Sequence, residues 1–189
     1  MSKEKNIFNF TLVLSGVNEQ TDGLEDAIFE SGCDDALINF RNGTVYLDFD
    51  RESSSFEDAV ISAIKQVEST DLNITVVNVA PDDYVTESEV AKRLHVKRQT
   101  VSLWFKGERR TKSPFPSPVM KLTEKSPLWR WSDVVEWLYD QQKITDAKML
   151  DHARFIGTLN IALIGRDSHT KSYQKKLLKK IERNDRKYA

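Results

Sequence analysis

The sequence predicts a mixed α+β protein. Three observations carry that expectation. Alternating apolar residues recur in four short stretches before residue 83, apolar residues at helical spacing lie between and after them, and a proline-rich basic segment sits past the middle. Local residues justify each element in turn.

Ile7 to Leu14 alternates, which puts Phe8, Phe10, Leu12 and Leu14 on one face of a strand. Asp22 can cap a helix over Leu24 to Glu30, with Leu24, Ala27 and Ile28 inward. Ala36 to Phe40 and Thr44 to Phe49 alternate again, and Asn42-Gly43 between them is a strong two-residue hairpin signal. Ser54 with Glu57 reads as a capping box before a helix bearing Phe56, Val60, Ile61, Ile64 and Val67. Leu72 to Val79 closes the pattern as a fourth strand. The succession strand, helix, strand, strand, helix, strand predicts a ferredoxin-like unit over residues 1–83, with one sheet face needing cover. Cys33 falls between a helix and a strand and reads as a half-buried small residue; alone, it excludes an intramolecular disulfide. Asp48 and Asp50 are paired carboxylates, a type that can hold a metal, but their positions on an alternating strand face outward. Pro81-Asp82-Asp83 is too short a connection for the next unit to tumble independently.

Residues 84–142 read differently. Thr86 and Glu89 form a second capping box, and Val90, Ala91 and Leu94 share one helical face. His95-Val96-Lys97 leaves room only for a tight turn before a second helix over residues 98–106. Val101, Trp104 and Phe105 are expected to pack on the first helix, turning Arg98, Gln99 and Ser102 outward. Two short helices in this arrangement form the unit that sets its second helix in a DNA major groove. Arginine suits the guanine edge, glutamine the adenine edge, and serine either. Arg98, Gln99 and Ser102 are therefore the candidate base contacts, and Lys97, Thr100, Lys106, Arg109, Arg110 and Lys112 the candidate backbone or groove contacts. Such helix pairs are also common in bundles with solvated outer faces, so the segment that follows decides. Pro114, Pro116, Pro118 and Pro127 exclude a helix there. Val119 to Leu122 and Leu128 to Trp131 are expected as short strands around a Thr-Glu-Lys-Ser-Pro turn, a basic wing. Ser132 can cap a closing helix, Asp133 to Gln141, with Val134, Val135, Trp137 and Leu138 inward.

The run Glu89-Val90-Ala91 with Arg93-Leu94, then Val96 with Arg98-Gln99-Thr100-Val101, then Phe115-Pro116 with Pro118-Val119, then Trp131, Asp133-Val134 and Trp137-Leu138, resembles excisionase and MerR-type winged-helix DNA-binding domains. The resemblance covers about 55 of the 189 residues. It implies that the second helix enters the major groove while the wing touches backbone or minor groove. The wing is longer and richer in proline than the short excisionase form.

A formal net charge of −1 hides a segregation. Residues 1–83 hold 5 Lys+Arg against 17 Asp+Glu, whereas residues 84–189 hold 23 against 12. An acidic first unit should lie away from DNA, and the basic remainder supplies an electrostatic footprint. The tail, 143–189, reads as helical twice. Thr145 can cap a helix with Met149, Leu150, Ala153, Ile156, Leu159, Leu163 and Ile164, which needs burial on two sides. The last segment carries Tyr173, Leu177, Leu178 and Ile181 among Lys171, Lys175, Lys176, Lys179, Lys180, Arg183, Arg186 and Lys187. A solvated face, a phosphate-contacting arm and a docking helix for an acidic partner all fit that pattern.

No catalytic constellation emerges. His95, His152 and His169 lie in separate elements, and the seven glycines do not cluster into a phosphate loop, so no enzyme activity, cofactor or metal is expected. No N-terminal apolar signal region is read, and Phe155 to Ile164 is too short to span a bilayer, which points to the cytoplasm and no membrane contact. The expected function is a sequence-specific double-stranded-DNA-binding regulator, an autoregulating repressor acting as a homodimer, with a possible protein partner at its acidic first unit. The alternatives are a recombination accessory that bends DNA and an antitoxin-like module that captures a basic partner.

Overall fold

Side-chain alternation across the pleat builds the first layer. In the computed structural model, which describes residues 6–166 and 168–185, strands β1 (Asn6–Ser15), β2 (Ala36–Arg41), β3 (Thr44–Ser53) and β4 (Thr75–Ala80) form a sheet ordered β2-β3-β1-β4. Every neighbouring pair is antiparallel. Phe10 pairs with Phe49, Leu12 with Leu47 and Leu14 with Val45, so the three buried pairs stack along one face. Helices α1 (Leu24–Glu30) and α2 (Phe56–Val67) cover that face with Leu24, Ile28, Val60, Ala63 and Val67. The β2–β3 hairpin turns at Asn42 and Gly43, whose φ values of 52° and 77° are the positive pair a type I′ turn requires.

The opposite sheet face is open. It carries a polar ladder in which Asn9 donates to Asp50, Thr11 Oγ1 donates to Asp48 Oδ1 at 2.6 Å, and Asn39 donates to Asp48 Oδ2 at 3.0 Å. Leu37 on this face is 65% exposed.

The free edge of β4 is closed by side chains. Helix α6 (Ala147–Gly165) lies along it, and Asn160 both accepts from the Val79 N–H at 2.8 Å and donates to the Val79 carbonyl at 2.9 Å. At Val76, Glu68 accepts from the N–H at 2.7 Å and Arg166 donates to the carbonyl at 2.8 Å, while Arg166 and Glu68 pair with each other. An edge strand so terminated offers little backbone for another strand to join.

A second buried cluster gathers the elements after residue 83. Strands β5 (Tyr84–Val85) and β6 (Trp129–Arg130) pair antiparallel, and helices α3 (Glu87–Arg93), α4 (Arg98–Phe105) and α5 (Trp131–Asp140) pack around Val85, Val90, Val101, Trp129 and Val134. Helix α6 joins the two clusters, contributing Leu150 and Ala153 to the second and Ile156 to the first. Burial on two sides accounts for Leu150, Ala153 and Ile156, whereas Ile164, expected to be covered, is 66% exposed and Ile161 63%, so the end of α6 keeps an open apolar side. Helix α7 (Ser168–Asp185) follows, with Tyr173, Leu178 and Ile181 about three-fifths exposed at 58%, 58% and 63%. The Arg183 side chain, Arg186 and Lys187 lie outside the described residues. Among the described residues, then, the chain is α+β, with one four-stranded antiparallel sheet, one two-stranded sheet and seven helices.

Several local expectations are corrected. The cap of α2 is Ser55, which accepts from the Asp58 N–H, because Ser55–Asp58 offers the same spacing as Ser54–Glu57 one residue later. Helix α1 starts from Gly23 with no side-chain cap, helix α5 from Arg130 with Ser132 inside the helix, and α6 from Asp146 rather than Thr145. Cys33 is fully buried, facing Arg51. The expected wing strands reduce to one bridge, Met120 to Leu128, because Trp129 and Arg130 pair with Tyr84 and Val85 instead. Phe105 stays partly exposed, its ring set edge-on to Trp129 at 5.0 Å. Arg51, which alternation alone would put among apolar neighbours, is buried and forks onto Asp35 with two bonds of 2.8 Å, also donating to Gln66. Burial lowers its proton affinity, but the Asp35 hydrogen bond and charge, with Cys33 behind them, raise it further, so Arg51 stays charged.

Candidate nucleic-acid interface

The helix pair is fixed at each end by backbone chemistry. Thr86 accepts from the Glu89 N–H at 3.3 Å while Glu89 accepts from the Thr86 N–H at 2.6 Å, so the capping box of α3 is complete. Helix α3 ends in a Schellman motif, in which Val96 N–H bonds Ala91 O at 3.0 Å and His95 N–H bonds Lys92 O at 3.2 Å. His95 holds the left-handed position at φ 53°, where glycine is usual. Helix α4 ends the same way on Gly107 (φ 69°), with Glu108 N–H on Leu103 O at 3.0 Å.

Val101 and Trp104 are the buried side of α4. Helical spacing then puts Gln99, Ser102, Leu103 and Lys106 on the opposite side. Gln99 and Lys106 are exposed, and Ser102 and Thr100 are half-buried. Arg98 lies at the flank; its side chain is 63% exposed, but its Nε donates to Glu87 at 3.2 Å, which ties one edge of the guanidinium to α3. Of the three candidate base readers, the structure thus brings Gln99 and Ser102 onto one outward face and holds Arg98 beside it.

Apart from Glu87 on Arg98, the start of α4 has no acidic partner of its own. Lys97 occupies the N-cap with no side-chain hydrogen bond, and the first turn contains no acidic residue. A helix N-terminus carries partial positive charge, so Lys97 and Arg98 there oppose the dipole by a few tenths of a kcal/mol or more in isolation. An anion at that end would reverse the sign.

Arg109, Arg110 and Lys112 are all exposed on the segment leaving α4, ahead of the bridge at Met120. That segment is pinned to α5. Gln141 accepts from the Lys112 N–H at 2.7 Å and donates to Ser113 Oγ at 2.8 Å, and Trp137 Nε1 donates to Ser113 O at 3.1 Å. Further on, Trp129 Nε1 donates to Pro116 O at 2.9 Å. Phe115 plugs between Trp104, Trp129 and Trp137, with ring centroids 6.5, 6.0 and 4.9 Å away. Lys143 lies over the Trp104 and Trp137 rings at 5.2 and 5.8 Å. The prolines hold the segment extended and the aromatics fix its path, which leaves its basic side chains projecting from a rigid base.

Sequence reasoning left out Lys121, Lys125 and Arg130. All three are exposed: Lys121 and Lys125 occupy the turn beyond the bridge, Lys121 beside Glu124 at 3.7 Å, and Arg130 caps α5. Their flanking turn and charge were the available signal. Asp48 and Asp50 are committed to the polar ladder, and among the described residues no group of three or more His, Cys, Asp or Glu is placed to hold a metal ion. Among the same residues no helix is long and apolar enough to cross a membrane. Compared with models of protein families, with curated proteins and with solved structures, the chain matches none.

Proposed function

We propose that this chain is a sequence-specific double-stranded-DNA-binding regulator, an autoregulating repressor that works as a homodimer. In this reading α3 and α4 are a helix-turn-helix, the pinned basic segment and its turn are the wing of an excisionase or MerR-type domain, and the first sheet is a ferredoxin-like unit held away from DNA. The observation that carries the reading is the start of α4, where Lys97 and Arg98 crowd an N-terminus with no side-chain cap and no acidic residue of its own, beside an outward Gln99, with Glu87 of α3 as the acidic partner of Arg98. That arrangement costs the free protein stability and suits a phosphate. Gln99 reads an adenine edge, Ser102 supports it, and Arg98 reads guanine once it leaves Glu87. Lys97, Thr100, Lys106, Arg109, Arg110 and Lys112 bind phosphates. The test is fluorescence anisotropy on a selected duplex. Gln99→Ala should lose about 1–3 kcal/mol of discrimination at one base pair. Changing Arg109 and Arg110 to Gln should weaken all sequences alike and reduce the salt slope by about 2. Unchanged preference in Gln99→Ala would overturn the assignment of α4 as the reading helix.

A second reading, a protein-binding module, is favoured by two surfaces: the open sheet face combines Asp48 and Asp50 with exposed Leu37, and α7 shows lysines beside an uncovered apolar stripe. Both surfaces suit a protein contact, and the homodimer could use either. Loss of dimerisation in Leu178→Asp, read by light scattering, would assign the contact to α7.

A further inference from the structure

A cavity of about 370 Å³ lies where the two buried clusters, the Pro81–Asp83 connection and α6 meet. That volume falls within the range of small-ligand sites, about 300–1,000 Å³. Its apolar lining comes from both sides: Phe56 from α2, Trp131 from α5, and Met149 and Ile156 from α6. Five polar residues join them: Asn9, Arg93, His152, Asp83 and Asp146.

Arg93 is the informative one. Its guanidinium lies over the Trp131 ring at 4.9 Å, and Nη2 donates to the Asp82 carbonyl at 2.8 Å. Its Nη1 is buried and has no hydrogen-bond partner. A buried donor left unmet destabilises the fold, more so when charged, so the site calls for an acceptor. Two carboxylates border the same cavity, the half-buried Asp83, whose charge also acts on Arg93, and the exposed Asp146, and both offer acceptor oxygens to a cation. Asp83 Oδ1 receives only a long 3.4 Å bond from Asn160, and Asp146 uses Oδ1 to accept from the Lys148 N–H at 2.9 Å. Between the charged groups the walls are flat and apolar, with His152 stacked on Phe56 at 4.2 Å. Burial holds His152 below its ordinary proton affinity, so it adds a neutral ring and not a second positive charge.

A ligand that answers all three demands has an acceptor anion, a donor cation and an apolar body. We propose that this cavity binds an apolar α-amino acid, its carboxylate on Arg93, its ammonium facing Asp83 and Asp146, and its side chain against Phe56, Met149 and Ile156. A purely anionic ligand would meet two carboxylates, and a purely cationic one would leave Arg93 unanswered. The bound molecule would touch α2, the last residue of α3, the first residue of α5 and α6 together, which ties the sheet to the helix pair. The site itself does not depend on the DNA-binding reading.

Isothermal titration of the full chain with L-phenylalanine, 3-phenylpropanoate and 2-phenylethylamine tests it, since the last two each lack one charged group. L-phenylalanine should bind at least tenfold more tightly than either fragment. Met149→Trp, which fills the cavity and keeps every charged group, should lose that binding by tenfold or more with its circular dichroism unchanged. If that variant does not fold, Arg93→Lys, which keeps the charge but not the fork, should lose the advantage over 2-phenylethylamine. No binding of L-phenylalanine at millimolar concentration, meaning a cavity that holds only water, would overturn the proposal. So would equal affinity for the three probes.

Discussion

The Asn160 side-chain amide pairs with the backbone of Val79 as a neighbouring strand would, at 2.8 and 2.9 Å, across a separation of 81 residues. Asn160 is 2% exposed, so nothing from solvent replaces it. Asn160→Leu would leave a buried N–H and a buried carbonyl unmet, each worth about 1–3 kcal/mol. The expected loss is about 2–4 kcal/mol in urea denaturation. A loss near zero would mean that the β4 edge reaches water without α6.

His95 sits at φ 53° to end α3, a conformation that strains a side chain and that glycine adopts freely. His95→Gly should therefore stabilise the chain by about 0.5–1 kcal/mol, seen as a higher denaturation midpoint at unchanged slope. Destabilisation instead would show that the imidazole makes a contact worth more than the strain.

His152 gives the chain an acid-sensitive window. Desolvation against Phe56 lowers its pKa from the ordinary 6.5, with Asp146 and Asp151 opposing the shift and Lys148 adding to it. The unfolded chain thus binds the proton more readily, so His152 contributes stability above about pH 6.5 that is lost as pH falls through its depressed folded value. His152→Phe should flatten the fall in stability just below pH 6.5. A parallel pH profile in the variant would exclude His152 as its source.

Gln141 holds the basic segment by two bonds, to Lys112 N and Ser113 Oγ. Gln141→Ala should cost only about 0.5–1.5 kcal/mol overall, but it should free the segment locally. Limited trypsin digestion at Arg110 and Lys112 should then speed up several-fold relative to cleavage elsewhere. An unchanged cleavage rate would place the restraint in the aromatic cluster alone.

What the sequence made legible was local. Alternation marked β1, β2 and β3, Asn42-Gly43 marked their hairpin, and Thr86 with Glu89 marked the start of α3, because each signal spans a few residues. Capping was ambiguous wherever two spacings competed, as at Ser54 and Ser55. The apolar surplus of α6 announced burial on two sides, yet it could not say that Asn160 and Arg166 close a strand edge 81 and 90 residues back. Arg51 was hidden for the same reason: its partners Asp35 and Gln66 meet it only after the sheet forms. For the candidate interface, spacing alone placed Gln99, Ser102 and Lys106 outward. It could not foresee the Glu87 tie on Arg98, nor that Trp129 would pair with Val85 instead of across the expected wing.

The regulator reading stands or falls on anisotropy of the purified protein with its own upstream DNA and a scrambled duplex across a salt series. Specific recognition predicts binding about a thousandfold tighter to the upstream duplex at moderate salt. No binding to either duplex at low salt would contradict DNA recognition altogether, and equal, steeply salt-dependent binding to both would contradict autoregulation.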